Sequence, residues 1–321
     1  MSVDPPALSV VVTVVDAGTT LMRCLDALRA QSVAAELEVI VPWDGSVAAV
    51  GELRGRYPEF AFPALGALAP SGEPLDAFTR HVLYDRRRAA GLAVARGRLV
   101  AMLEDRGWPR PDWAAVMRAL HASHPHAAIG GAIECGEAGR LLQAVFRCDF
   151  GRYLPPFAAH DATFVSDVNV CYKREALESV RGVWSDRYQE VAVHDALRRR
   201  GEKLLLSDRA RVVETRAPLA LPVALCERFD WGRTYGLVRG RSSSRRYSVL
   251  LALAAPLVPA VLLLRQWRQH RRRGGRGMEF AALLPVLLVL LAAWAAGEAW
   301  GQLETVFAPA DDARRAGVNA R

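Results

Sequence analysis

An α/β fold, with a mixed, mainly parallel sheet flanked by helices and a carboxyl-terminal apolar helical module, is what this sequence predicts. Three short apolar runs, Leu8 to Val15, Leu37 to Val41 and Leu99 to Leu103, read as buried strands. Each stops on acids or on an acid-bearing turn: Asp16, Asp44 and Glu104-Asp105. Between them lie helical patterns, and strands alternating with helices favour parallel pairing, which brings the strand ends to one crevice. That edge of an open α/β sheet is where ligands bind.

The elements follow in order. After Leu8 to Val15, the loop Asp16-Ala-Gly-Thr-Thr20 leads into a segment with Leu21, Leu25 and Leu28 on one helical face. The second strand ends in Pro42-Trp-Asp-Gly-Ser46, a glycine turn that carries Asp44. The third stops on Glu104-Asp105, and Trp108-Pro-Arg-Pro-Asp-Trp113 turns the chain before the next helix. Gly130-Gly131 signals a close backbone approach within the sheet.

These segments resemble the family 2 glycosyltransferases, which have the Rossmann-like GT-A fold. The strand and helix from Ser9 to Arg29 and the strand and Asp-Gly-Ser turn from Val39 to Ser46 are similar to the family's opening. Arg88-Ala-Ala-Gly91 and Ala95-Arg-Gly97 stand where the family has Arg-Asn-x-Gly and Ala-x-Gly, and Glu104-Asp105-Arg106 stands at its Asp-x-Asp. Asn169-Val-Cys-Tyr-Lys-Arg174 resembles its Asn-x-x-x-x-Arg segment, and Gln189-Glu190 its acidic pair with the catalytic base. The resemblance covers roughly residues 8 to 240. It implies an inverting transfer of sugar from a nucleotide-sugar donor to a lipid-linked or glycan acceptor. Glu190 would be the general base; Asp16, Asp44, Arg88, Glu104, Asp105 and Asn169 would bind the donor.

Two departures bear on the cofactor. Ala89 replaces the asparagine of the Arg-Asn pair, and Arg106 ends the altered Asp-x-Asp, where it cannot ligate a metal because it stays protonated. A Mg²⁺ or Mn²⁺ held by Glu104 and Asp105 is the expectation, since magnesium takes only one or two carboxylates when phosphates and waters complete its shell. Neutralisation of the diphosphate by Arg106 is the alternative. The same departures motivate a rival: a catalytically inactive relative serving as a membrane scaffold.

The chain has 321 residues, 51% of them hydrophobic, enough for one large domain with an added module and too apolar for general disorder. Its net charge of +8 is almost all arginine, the only lysines being Lys173 and Lys203. No nucleic-acid-binding motif accompanies that charge, so nucleic acid is not an expected partner. A P-loop, a dinucleotide fingerprint and a Gly-x-Ser-x-Gly elbow are also missing, which leaves His194-Asp195 without a hydrolase setting. Cys24, Cys135, Cys148, Cys171 and Cys226 have no paired spacing and are expected as reduced thiols. His121, His124 and His126 read as a helix end at Pro125 rather than a metal site.

Met1 to Ala7 carries no positive charge, so no signal peptide is expected and the catalytic region is placed on the cytoplasmic side. Val249 to Leu264 is a charge-free run of sixteen residues and Phe280 to Ala296 one of seventeen. Each falls short of the roughly 20 residues of a spanning helix. Arginines crowd both flanks of the first run, at 239, 241, 245 and 246 and again from Arg265 to Arg276. Positive charge prefers the cytoplasmic side and anionic lipid. A spanning pair, a re-entrant or interfacial hairpin kinked at Pro256, Pro259 and Pro285, and a pair of soluble core helices all remain open. The expected layout is a transferase domain over 1–240, a membrane-associated hairpin over 241–304 and a flexible tail over 305–321.

Overall fold

The computed structural model describes residues 5–68, 77–241 and 243–307. In chain order the elements are β1 (Leu8–Thr13), α1 (Gly18–Arg29), β2 (Leu37–Ile40), α2 (Ala77–Val94), β3 (Leu99–Glu104), β4 (Gly107–Pro109), α3 (Trp113–Ser123), β5 (Ala128–Cys135), α4 (Arg140–Phe150) and β6 (His160–Ala162). After them come β7 (Asn169–Lys173), α5 (Arg174–Glu178), α6 (Arg181–Trp184), α7 (Glu190–Arg199), β8 (Leu204–Glu214), α8 (Leu221–Arg241), α9 (Arg245–Ala254), α10 (Val258–Arg272) and α11 (Gly277–Phe307). The chain forms two compact units. The first holds residues 1–136 and 153–217, the second residues 137–152 and 218–321.

The first unit is built on a sheet of order β2-β1-β3-β7-β5-β8-β4, with β6 on the far part of β8. All six residues of β1 are buried, as a central strand covered on both faces requires. Its helix α1 buries Leu21, Cys24, Leu25 and Leu28, one stripe at helical spacing. The three predicted strands are present and parallel, with Val11 level with Ile40 and Thr13 level with Glu104. The sheet is mixed, as expected, but parallel pairings do not predominate among the described strands. Among the named strands, β1–β2, β1–β3 and β5–β8 pair in parallel, while β7 runs against both β3 and β5, and β8 against β4 and β6.

Glycines let this unit close. A Cβ on Gly91 of α2 would overlap the Val11 side chain of β1, so only a bare α-carbon lets the helix lie on the strand. Gly131 has a different neighbour: its missing Cβ leaves room for the Asn169 side-chain amide, which crosses to the carbonyls of Ala132 and Ala210. The five cysteines are all free thiols.

The second unit is helical. Ala144 and Val145 of α4, Ala224 of α8 and Phe280, Leu283, Leu287 and Leu290 of α11 form its core, with Trp267 of α10 edge-on to Phe280. Arg228 of α8 is buried and pairs with Asp149 of α4 at 2.6 Å. Helices α8 and α11 meet backbone to backbone. A Cβ on Gly232, Gly236, Gly297 or Gly301 would overlap a carbonyl of the facing helix, at Trp294, Glu298, Phe229 and Arg233 respectively. The pairing advances in step along both helices, so they run in the same direction.

This unit begins at Pro218 and takes in residues 137–152, instead of starting after residue 240, because α8 is the packing partner of α11. Two of its helical stretches, Arg245–Arg272 and Gly277–Phe307, are long and apolar enough to cross a membrane. Of the predicted tail over 305–321, Thr305 to Phe307 belong to α11 and the rest lies outside the described residues.

Candidate active site

Because β1, β2 and β3 run in parallel, their carboxyl ends share one edge. Strand β7 runs against β3 with Asn169 level with Leu103, so the residues just before β7 arrive at the same edge. Asp167 comes from that segment and Glu190 from the start of α7.

Asp105 organises the first loop. Its Oδ1 accepts from the backbone N–H of Val15 and Asp16 at 3.1 and 3.3 Å, and its Oδ2 from Asp16 and Ala17 at 3.1 and 2.6 Å. Burial pushes this carboxyl up to about 6, against the lowering by those amides. The loop it holds is strained: Ala17 has φ 57 and ψ −152, backbone that favours glycine. Ala17→Gly should therefore raise the unfolding free energy by about 1 kcal/mol, read by denaturant titration. A lower midpoint would show that the loop carries no such strain.

Two further acids sit in ion pairs. Asp44 is buried and caps the turn that follows, accepting from Ser46 N–H at 2.7 Å and from Arg87 Nε at 2.8 Å. Burial raises its pKa, but Arg87 and Ser46 outweigh it and hold the carboxyl below its ordinary value. The same Arg87 donates to the Val14 carbonyl and to Ser46 Oγ, tying α2 to the ends of β1 and β2. Asp16 is half-buried and receives both arms of Arg106, at 2.8 and 2.6 Å.

Arg88 is the hub. Its guanidinium reaches Glu104 at 2.6 Å, Asp167 at 2.7 Å and Asp85 at 3.5 Å, and Arg187 adds a second cation on Asp85 at 3.1 Å. Arg88 Nε–H is buried and has no acceptor among the described residues. Glu190 joins through Asp167, whose backbone N–H donates to its Oε2 at 3.3 Å.

Four carboxyls around two guanidiniums cannot all be ionised cheaply. Burial and the charge of Asp167 push Glu190 well above the carboxylate range, and burial pushes Glu104 up to about 7 despite Arg88. Asp167 goes the other way: burial would raise it, but Arg88 and the hydrogen bond with Glu190 keep it ionised. The cluster is thus a proton-holding pair, Asp167 and Glu190, set beside a fixed cation. Nearby, burial and then Arg88 push the His81 imidazole down to about 4, so it is neutral at physiological pH.

Of the residues singled out from sequence, Arg88, Glu104 and Glu190 come together, while Asp16, Asp44 and Asp105 lie at the same edge in separate contacts. Asn169 stands apart. It is fully buried, donating to Ala132 and Ala210 and accepting from Trp113 Nε1 at 2.9 Å, so it stitches the sheet. His121 meets the Cys171 carbonyl, and His126 pairs with Asp161 and lies edge-on to His124 with ring centroids 5.9 Å apart. Sequence reasoning missed Asp85, Arg87, Asp167 and Arg187. The run Arg86-Arg87-Arg88 held the only signal: in α2 adjacent positions diverge and can serve two strand ends at once.

The donor set does not fit a divalent cation held by Glu104 and Asp105. A carboxylate offers about four lone-pair sites, and those of Asp105 are engaged by four N–H contacts. Glu104 already faces Arg88. The cations at this edge are guanidiniums: Arg106 at the rim, paired with Asp16, and Arg88 within, paired with Glu104, Asp167 and Asp85. The chain matches no known family model and no curated protein sequence.

Proposed function

We propose that this chain is an inverting glycosyltransferase of the family 2 type, taking sugar from a nucleotide-sugar donor. The observation that carries the reading is the cluster of Arg88, Glu104, Asp167 and Glu190 at the carboxyl edge of three parallel strands. Glu190 is the general base, accepting the proton of an acceptor hydroxyl as it attacks the anomeric carbon. Asp167 and Arg88 position it. Arg106, half-exposed beside Asp16, is the cation that meets the donor diphosphate, in the place where the family has its second acid. Asp16 reaches the donor when Arg106 turns toward phosphate. Asp44 shapes the nucleoside side through Arg87.

The acceptor is lipid-linked or a membrane-proximal glycan, and the transferring unit works on the cytoplasmic membrane face. The long apolar helices and the arginines around them support that placement.

A second reading, an inactive relative acting as a membrane scaffold, is favoured by one observation: Asp16 and Asp44 are both already paired with arginine. The experiment that separates them incubates membranes carrying the full chain with a panel of radiolabelled nucleotide sugars and extracts lipid and polymer. Titration calorimetry of the detergent-solubilised chain with UDP and GDP runs beside it. Label in the extract, with saturable binding of the matching nucleotide, supports transfer. Nucleotide binding without label from any donor supports the scaffold. No binding of either nucleotide and no label removes the glycosyltransferase reading.

A further inference from the structure

The second unit leaves a row of large apolar side chains uncovered. Leu250, Leu253 and Leu257 are 61%, 74% and 67% exposed, and Val261 and Leu264 are 47% exposed. They recur every three or four residues from α9 across the 3₁₀ turn at Ala255–Leu257 into α10, a row about 21 Å long. Single exposed leucines are ordinary; a continuous stripe marks an interaction surface. Exposed arginines close it at both ends. Arg246 lies one turn before Leu250, Arg268 one turn after Leu264, and Arg272 one turn further, all on the same face.

Two observations weigh against either apolar helix crossing a bilayer. The charge-free run from Val249 to Leu264 rises only about 24 Å, against roughly 30 Å of hydrocarbon, and Pro256 and a 3₁₀ turn at Ala255–Leu257 interrupt it. From Trp294 onward α11 lies backbone to backbone with α8, which there carries Asp230, Arg233 and Arg239. Arg233 pairs with Glu304 and Arg239 with Glu298, both at 3.0 Å. Driving that half of α11 through lipid would drag these charges with it. The stretch from Phe280 to Ala293 that remains is again about 21 Å long.

We propose that the α9–α10 stripe docks the second unit in the plane of an anionic phospholipid bilayer, its leucines in the acyl boundary and its arginines on phosphate headgroups, with neither apolar helix crossing. The arginines select the partner. Each one near an anionic surface strengthens binding about fivefold, and a neutral surface offers them nothing comparable. This inference stands whether or not the chain transfers sugar.

The test is flotation of the full chain with vesicles of phosphatidylcholine alone and of phosphatidylcholine with phosphatidylglycerol. The chain should float with the anionic vesicles. Leu253→Glu with Leu257→Glu, both at exposed positions, should abolish flotation, and Arg268→Glu with Arg272→Glu should weaken it about tenfold or more. The second measurement labels Arg272→Cys, in a Cys226→Ser background, with a membrane-impermeant maleimide in sealed vesicles of known orientation. It should react from the same side as Arg54→Cys in the first unit. Reaction from the opposite side means that α9–α10 spans, and overturns the proposal. Flotation unchanged by the leucine substitutions overturns it too. So does a detergent-free dimer that Leu253→Glu dissociates without any vesicle binding, which would give the stripe to a second copy of the chain.

Discussion

Arg88→Ala should destabilise the first unit by about 3–5 kcal/mol, the cost of breaking a buried ion pair from one side. Arg88 faces Glu104 and Asp167 within 2.7 Å, and its own side chain is 5% exposed, so solvent cannot replace it. Removing it leaves acids whose cheapest response is to take up protons. The variant should regain stability as pH falls, measured by denaturant unfolding at pH 5 and pH 8. Arg88→Lys should rescue only in part, since one ammonium lacks the planar fork that serves two carboxylates at once. The wild type carries a milder form of the same dependence. Glu104 is raised to about 7 in the folded chain, so its contribution is fully present below the ordinary carboxylate value of 4.5 and is lost as pH rises through about 7. Glu104→Gln should flatten that loss. An Arg88→Ala chain that unfolds at the wild-type midpoint would show that the hub does not hold the unit together.

How much of this was legible in the sequence follows from where periodicity exists. Strands β1, β2 and β3 announce themselves as apolar runs, and their parallel pairing follows from the helices between them, so the edge bearing Asp16, Asp44 and Glu104 is readable. The use each acid is put to is not. Glu104 and Asp105 are neighbours at a strand end, where side chains alternate, and one goes to Arg88 while the other turns back onto the loop amides of β1. Asp167 lies outside any element, between β6 and β7, with no pattern to flag it.

Which strands of the mixed sheet run antiparallel was hidden for a similar reason: β7 has five residues and β4 three, too few to declare a direction. In the second unit the sequence carries a helix-contact pattern. Gly232, Gly236 and Gly240 recur every four residues in α8, as do Gly297 and Gly301 in α11, the spacing at which two helices can touch along their backbones. The expected layout instead leaves α8 in the transferase domain, whose expected end is residue 240. The insertion of α4 into this unit could not be foreseen, because a partner more than seventy residues away leaves no local trace.

Glu190→Gln should lower the turnover of sugar transfer by about 10² or more while leaving nucleotide binding nearly intact, because the amide keeps the size of the side chain and loses only its capacity to accept a proton. The surroundings of Glu190 make a sharper demand. Burial and the charge of Asp167 hold its pKa well above 4.5, so the resting residue keeps its proton where an ordinary glutamate has lost it. A base must be deprotonated to act. The rate should therefore climb with pH through a value well above the usual carboxylate range, and high pH should favour transfer until another group titrates. Asp167→Asn removes the negative neighbour that raises Glu190, so the rising limb should move to lower pH. A merely structural Asp167 would change the height of the profile and leave the limb in place. Wild-type turnover in Glu190→Gln would take Glu190 out of the chemistry. A Gln variant that is slow, with a limb that Asp167→Asn does not shift, would keep Glu190 as the base but deny it the carboxylate partner.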